Sequence, residues 1–317
     1  MTRTAEVFAE VERAAAAVLV GSMDPLRLSL LTMVVGGHVL LEGLPGTAKT
    51  LMARTLAHLT GANFGRVQFT PDLLPADIVG SVVYDQRLGR FEVRPGPVFT
   101  DVLLADEINR SPAKTQAALL EAMEERQVTL DGRSHPLGDR FMVLATQNPI
   151  ELEGTFPLPE AELDRFMVKV AVPSLGVEGE LELARRVDQG FDTNRLEEIL
   201  TGPPPAGPEV LLHLRSEVAG VSCSEEVRSY ISSIVAASRE APELTFGASS
   251  RATVALVRLG KARAAAGGRQ FVTPEDVKEL CMPVLRHRLQ LRPEAEMQGL
   301  DETSAVGRVL ARVAVPR

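Results

Sequence analysis

The chain has 317 residues, 45% of them hydrophobic and 24% charged, enough apolar material for one large domain or two ordinary ones. Thirty-four Lys and Arg against 42 Asp and Glu give a net charge of −8, which argues against binding nucleic acid or anionic lipid over the whole surface and leaves room only for a local basic groove. Two cysteines, Cys223 and Cys281, with no Cys/His cluster near either, exclude a disulfide framework and a structural zinc site; each reads as a small buried hydrophobe in a reducing compartment.

Met1 to Val20 interleaves Glu6, Glu10, Glu12 and Arg13 with apolar residues and reads as an amphipathic helix rather than a secretory leader. No apolar run approaches the roughly 18 residues of a membrane-spanning helix, so a cytoplasmic protein is expected. From about Gly36 to Val172, short apolar runs alternate with helical patterns, the signature of βαβ units around a parallel sheet. His38–Glu42, Val102–Ala105 and Phe141–Ala145 are nearly continuous apolar runs, as expected of central strands buried on both faces. Each ends in polar residues, where open parallel sheets place their ligands.

After the first strand, Gly43-Leu44-Pro45-Gly46-Thr47-Ala48-Lys49-Thr50 precedes a helix whose apolar face is Leu51, Met52, Thr55, Leu56 and Leu59. This reads as a phosphate-binding loop: backbone N–H groups would cradle phosphates, Lys49 would add a point charge, and the Thr50 hydroxyl would ligate Mg2+. Ala48 stands where the strict pattern has Gly, and right-handed dihedrals are expected there. Val82–Val93 alternates around a Gly-containing turn and reads as a hairpin presenting Arg87 and Arg90. The second strand delivers Asp106, suited to hold Mg2+, and Glu107, suited to polarise a water. Val128–His135 contains Asp131-Gly132, a hairpin signal, and presents Arg133. The third strand ends in Asn148-Pro149, bringing a neutral amide to the same crevice. In isolation, an acidic pair opening a helix or an Asn-Pro turn has a plainer reading; the ordered series behind a phosphate loop favours chemistry.

Thr201–Pro208 (TGPPPAGP) carries four prolines and two glycines, and marks a linker between a core at 1–200 and a second domain at 209–317. Beyond it the pattern is helical: Glu209–Ala219, Ser224 capping Glu225–Ser238, Ser250 opening a helix towards Ala266, and Thr273 opening another. His38, His135 and His287 are unclustered; His38, inside an apolar strand, reads as a core histidine.

Phosphate loop, Asp-Glu, strand-end Asn and a helical domain with Arg251 beside a cap together resemble the AAA+ ATPases. More narrowly, GLPGTAKT, QFTPDLLPADIVG, LLADEINR, ATQNPIELEGTFPLPEAELDRF and VLRHRL are similar to the MoxR family. The resemblance implies an α/β fold, a three-layer αβα P-loop core with a parallel sheet and a small all-α lid, with ATP at their junction. It implies Walker A at Gly43–Thr50, with Leu51 completing the nucleotide set, Walker B at Asp106-Glu107, sensor 1 at Asn148 and sensor 2 at Arg251. Arg165 matches the arginine finger that reaches a neighbouring subunit's nucleotide. The cofactors implied are ATP and Mg2+, and the assembly is a homo-oligomer, a hexameric ring. Chaperone-like remodelling of a protein client, with a von Willebrand factor A partner, is the role implied. Phe156 and Glu162 depart from the family pattern without removing a catalytic group. Two other readings stay open: a nucleic-acid or chelatase-type motor of the same fold, and a nucleotide-gated scaffold without turnover.

Overall fold

The computed structural model describes residues 2–87, 89–149 and 155–316. Residues 150–154 of the longest motif block and Leu88 of the first hairpin lie outside these.

The chain opens with α1 (Arg3–Ala15), capped by Thr2, and α2 (Asp24–Val34). The core then runs β1 (Val39–Glu42), α3 (Lys49–Leu59), β2 (Phe64–Gln68), α4 (Pro75–Val79), the β3 (Gly80–Asp85) and β4 (Arg90–Pro95) hairpin, and β5 (Val102–Asp106). Next come α5 (Ala113–Glu125), the β6 (Gln127–Leu130) and β7 (Arg133–Pro136) hairpin, β8 (Met142–Gln147), α6 (Glu160–Leu163) and β9 (Val168–Ala171). Helices α7 (Val177–Asp188) and α8 (Leu196–Ile199) precede the proline segment. After it follow α9 (Pro208–Gly220), α10 (Glu225–Arg239), β10 (Leu244–Phe246), α11 (Ser250–Ala266), α12 (Pro274–Leu285), β11 (Gln290–Leu291), α13 (Pro293–Met297) and α14 (Glu302–Ala311).

Among the described residues, five parallel strands form one sheet in the order β2-β5-β8-β1-β9. The three apolar runs are its central strands, and their alternate side chains separate two cores. Val39, Leu41, Val102, Leu104, Met142 and Leu144 join a cluster continuous through α1, α2 and α3 into the C-terminal helices. Leu40, Leu103, Ala105, Val143 and Ala145 face the other way, into a cluster with α5, Phe69, Ile78 and Phe141. The two edge strands went unmarked by sequence pattern: β2 (FGRVQ) is largely exposed and β9 is only four residues long. Strand β1 begins one residue after His38, whose buried ring accepts from Val143 N at 2.9 Å and lies 3.2 Å from Met123 O, as a satisfied core histidine should.

Both hairpins form as antiparallel pairs, with Asp131 and Gly132 at positive φ in the second turn. Expected caps hold at Ser224 and Thr273, and α11 opens at Ser250 and runs to Ala266 as expected, with Ser249 as its cap. The proline segment is not a free tether. Its last residue already begins α9, Ala206 is fully buried, and its N–H donates to Leu59 O at 3.0 Å. Helix α1 spans both halves: Thr4 Oγ1 donates to Glu217 on α9 at 2.6 Å, and Thr2 Oγ1 to Ala265 O on α11 at 2.7 Å.

Candidate functional site

The topology reverses direction around β1, so a crevice opens where the carboxyl ends of β1, β8 and β5 converge. Into it come the loop after Glu42, the Asp106-Glu107 pair and Asn148. The loop must begin with glycine: a Cβ at Gly43 would lie 2.6 Å from Val172 O. Gly46 has φ +83°. Ala48 corrects the sequence expectation, because it adopts φ 59° and ψ 23°, a left-handed conformation that costs a non-glycine residue roughly 1–2 kcal/mol. Glu107 is left-handed too, at φ 56° and ψ 52°. Of the four non-glycine residues at positive φ among the described ones, two thus border one cleft.

Lys49 opens α3 and folds over the loop, its Nζ donating to Gly43 O and Leu44 O, each at 2.7 Å. Burial lowers its pKa, while Asp106 and Glu107 pull it back up. Thr146 on β8 organises the acidic pair: its hydroxyl donates to Asp106 Oδ1 at 2.6 Å and accepts from the Glu107 N–H at 2.8 Å. Arg66 Nη2 holds the other Asp106 oxygen at 2.8 Å. Gln68 Nε2 and Arg110 Nη1 both donate to Glu107 Oε2, at 2.8 and 3.0 Å. Asn148 is buried at the end of β8 and lines the same cleft of about 460 Å3 with Lys49, Thr50, Asp106 and Glu107. Arg66, Gln68 and Thr146 are site residues that sequence reasoning missed. Thr146 and Gln68 lay in quoted motifs without being singled out, and the strand that carries Gln68 and Arg66 gave no periodic signal.

A second cavity, about 700 Å3, shares Pro45–Ala48 and Leu51 with the first and is walled by Leu19, Leu26, Leu175, Leu183 and Phe191. An apolar chamber beside a polar one suits a flat base attached to a polyphosphate. The donor set also fits Mg2+: a threonine hydroxyl and one carboxylate are hard oxygens, too few for an all-protein cage but sufficient for an ion shared with phosphates. No cluster of three or more His, Cys, Asp or Glu among the described residues offers a rival metal site.

Two sequence-assigned residues lie elsewhere. Arg165 and Arg251 line neither cavity, and no residue beyond Thr193 does. The C-terminal helices, expected to close over ATP with Arg251 in the nucleotide set, contribute no lining residue to either cavity of this chain. Instead Arg251 Nη2 lies 2.6 Å from Glu124 Oε1, while Arg165 Nε lies 3.9 Å from the other oxygen of that carboxylate. The two arginines share one acidic anchor, with Asp164 3.9 Å from Arg251. The C-terminal helices pack on α1 and α2, on the sheet face that α3 also covers, and none of their residues lines the cleft.

The family model "ATPase family associated with various cellular activities (AAA)" matches residues 38–168, and "AAA lid domain" matches 236–308. The chain is 42% identical over 299 residues to the protein YeaC of Bacillus subtilis, covering 94% of this chain and 92% of that one. It is 41% identical over 310 residues to the chaperone MoxR1 of Mycobacterium tuberculosis, covering 95% and 80% respectively. The crystal structure of a candidate ATPase from Cytophaga hutchinsonii superposes with a TM-score of 0.90 at 42% identity, over 99% of this chain and 96% of that chain. With its αβα core and helical lid, the chain belongs to the MoxR family of AAA+ ATPases.

Proposed function

We propose that the protein binds Mg2+–ATP in the cleft after β1 and hydrolyses it at a boundary between subunits of a ring, a hexamer by resemblance, to remodel a protein client. The observation that carries this reading is the convergence of Lys49, Thr50, Asp106, Glu107 and Asn148 on one cleft beside an apolar chamber. Backbone N–H groups of Gly43 to Leu51 and Lys49 hold the phosphates. Thr50 and Asp106 hold Mg2+, which supplies charge neutralisation on the phosphate oxygens. Glu107 takes the proton of the attacking water, and the Asn148 amide orients that water without adding charge.

Arg165 and Arg251, side by side and outside their own cleft, act together on the nucleotide of the next subunit. Their shared attachment to Glu124, away from the cavities of their own chain, supports this reading. The exposed Tyr84–Phe91 pair on the first hairpin, with ring centroids 5.2 Å apart, gives a surface for the client. A von Willebrand factor A protein is the proposed recruiting partner. The two free, buried cysteines agree with a cytoplasmic setting, and no described helix is long and apolar enough to cross a membrane.

The experiment is ATPase rate against protein concentration with light scattering. Specific activity should rise as subunits assemble with ATP, Lys49→Ala should lose nucleotide binding, and Glu107→Gln should bind ATP but turn over at least a hundredfold slower. Parental turnover by Glu107→Gln would overturn the assignment of the base.

A further inference from the structure

The motif block VLRHRL takes no part in the cleft, yet three consecutive residues of it grip the core at three places. Arg286, just after α12, places Nη2 3.1 Å from Glu42 Oε2, and Glu42 is the last residue of β1 before the phosphate loop. Lys169 on β9 holds the other Glu42 oxygen at 2.8 Å. Glu302 at the start of α14 lies 3.6 Å from Arg286 and 3.7 Å from Lys169, closing a four-charge network. His287 is buried, its Nε2 3.0 Å from Phe166 O.

Arg288 is the most committed of the three. Its side chain is 2% exposed. All five of its N–H donors have acceptors: Nε to Asp164 Oδ1 at 2.6 Å, Nη2 to Asp164 O at 3.2 Å and Phe166 O at 2.7 Å, Nη1 to Met167 O at 3.1 Å and to Val284 O. The carbonyls it holds lie on either side of Arg165. The second Asp164 oxygen accepts from Ser249 Oγ at 2.7 Å, and Ser249 caps the helix that carries Arg251. A planar five-donor fork is the one side chain that can make this set of bonds, and lysine cannot replace it. Burying an ion pair adds little net stability compared with apolar packing, whereas it fixes position closely.

We propose that Arg286-His287-Arg288 is a strut between a subunit's own phosphate loop and the pair of arginines it offers to its neighbour, with Arg288 a positioning residue for Arg165. This rests on the reading of Arg165 as a finger acting in trans. The strut touches the strand that feeds one nucleotide site and the loop that completes the next, so the two sites are mechanically joined through a single tripeptide.

The test compares Arg165→Ala, Arg288→Lys and the charge-balanced Asp164→Asn/Arg288→Met, which leaves no unpaired buried charge and guards against a mere folding failure. Each is assayed for ATP turnover alone and in mixed rings with Glu107→Gln subunits, which supply an intact finger but no base. Arg288→Lys and the double variant should lose roughly ten- to a hundredfold in kcat with little change in KM for ATP. Mixing with Glu107→Gln should restore turnover at their own sites, as it should for Arg165→Ala. A defect confined to folding would not be complemented. If Arg165→Ala behaves as expected and the Arg288 variants either keep the parental rate or fail to be complemented, the strut is refuted and the finger stands. If Arg165→Ala keeps the parental rate, the reading beneath the strut falls, and the strut with it.

Discussion

Arg66 Nη2 and Asp106 Oδ2 lie 2.8 Å apart, so the carboxylate suited to Mg2+ already carries a cationic neighbour from the adjacent strand. The arginine is half exposed, which limits the interaction to about 1 kcal/mol. Removing it takes a positive charge away from the proposed Mg2+ site. Arg66→Gln is therefore expected to lower the Mg2+ concentration for half-maximal ATPase activity by about three- to fivefold. Magnesium titrations at saturating ATP check this, and a higher requirement would mean that Arg66 assists the ion.

Ala48 holds left-handed dihedrals at the entrance to α3. Glycine would relieve the strain while giving back part of the gain through its freer unfolded chain. Ala48→Gly should raise stability by roughly 0.5–1 kcal/mol with ATP affinity retained, and Ala48→Val, with its branched Cβ, should lower both. Urea midpoints and nucleotide titrations read the two effects.

At Gly43 the opposite substitution is harmful. A methyl group 2.6 Å from Val172 O forces the loop away from the β1–β9 pair. Gly43→Ala is expected to weaken ATP binding at least tenfold and to cost about 1–3 kcal/mol of stability, measured by calorimetric titration and denaturant melts.

Burial lowers His38 to about 3, and burial, followed by the charge of Arg288, holds His287 well below the ordinary histidine range. Both stay neutral when folded and gain a proton on unfolding, so stability is present above the unfolded pKa near 6.5 and is lost as pH falls below it. From pH 7 to pH 5 each should remove about 2 kcal/mol, and His38→Gln should remove its share of that slope. Urea melts across this range provide the measurement.

The central strands, the placing of the Gly43–Thr50 loop and the acidic pair at strand ends, and both hairpins were legible because each carries its own local pattern: apolar runs for double burial, Asp131-Gly132 for a tight turn. Arg66 and Gln68 were not, because an exposed edge strand has no hydrophobic period. The location of Arg251 was illegible for another reason. Its cap and helix are local features, but which face of the sheet the helix joins is decided by the apolar surfaces of α1, α2 and α9, far off in the chain. The left-handed Ala48 likewise runs against alanine's own preference, so no local pattern announces it.

The buried Ala206, anchored to the end of α3, bears on how the molecule comes apart and does its work. With the proline segment packed and one apolar cluster running from the sheet into the C-terminal helices, the two halves share their interior. A protease should find no preferred cut there, and heating should melt the chain in one calorimetric transition. A body built this way yields at the prolines only when the shared interior opens, so loosening either half should expose the apolar surface of both.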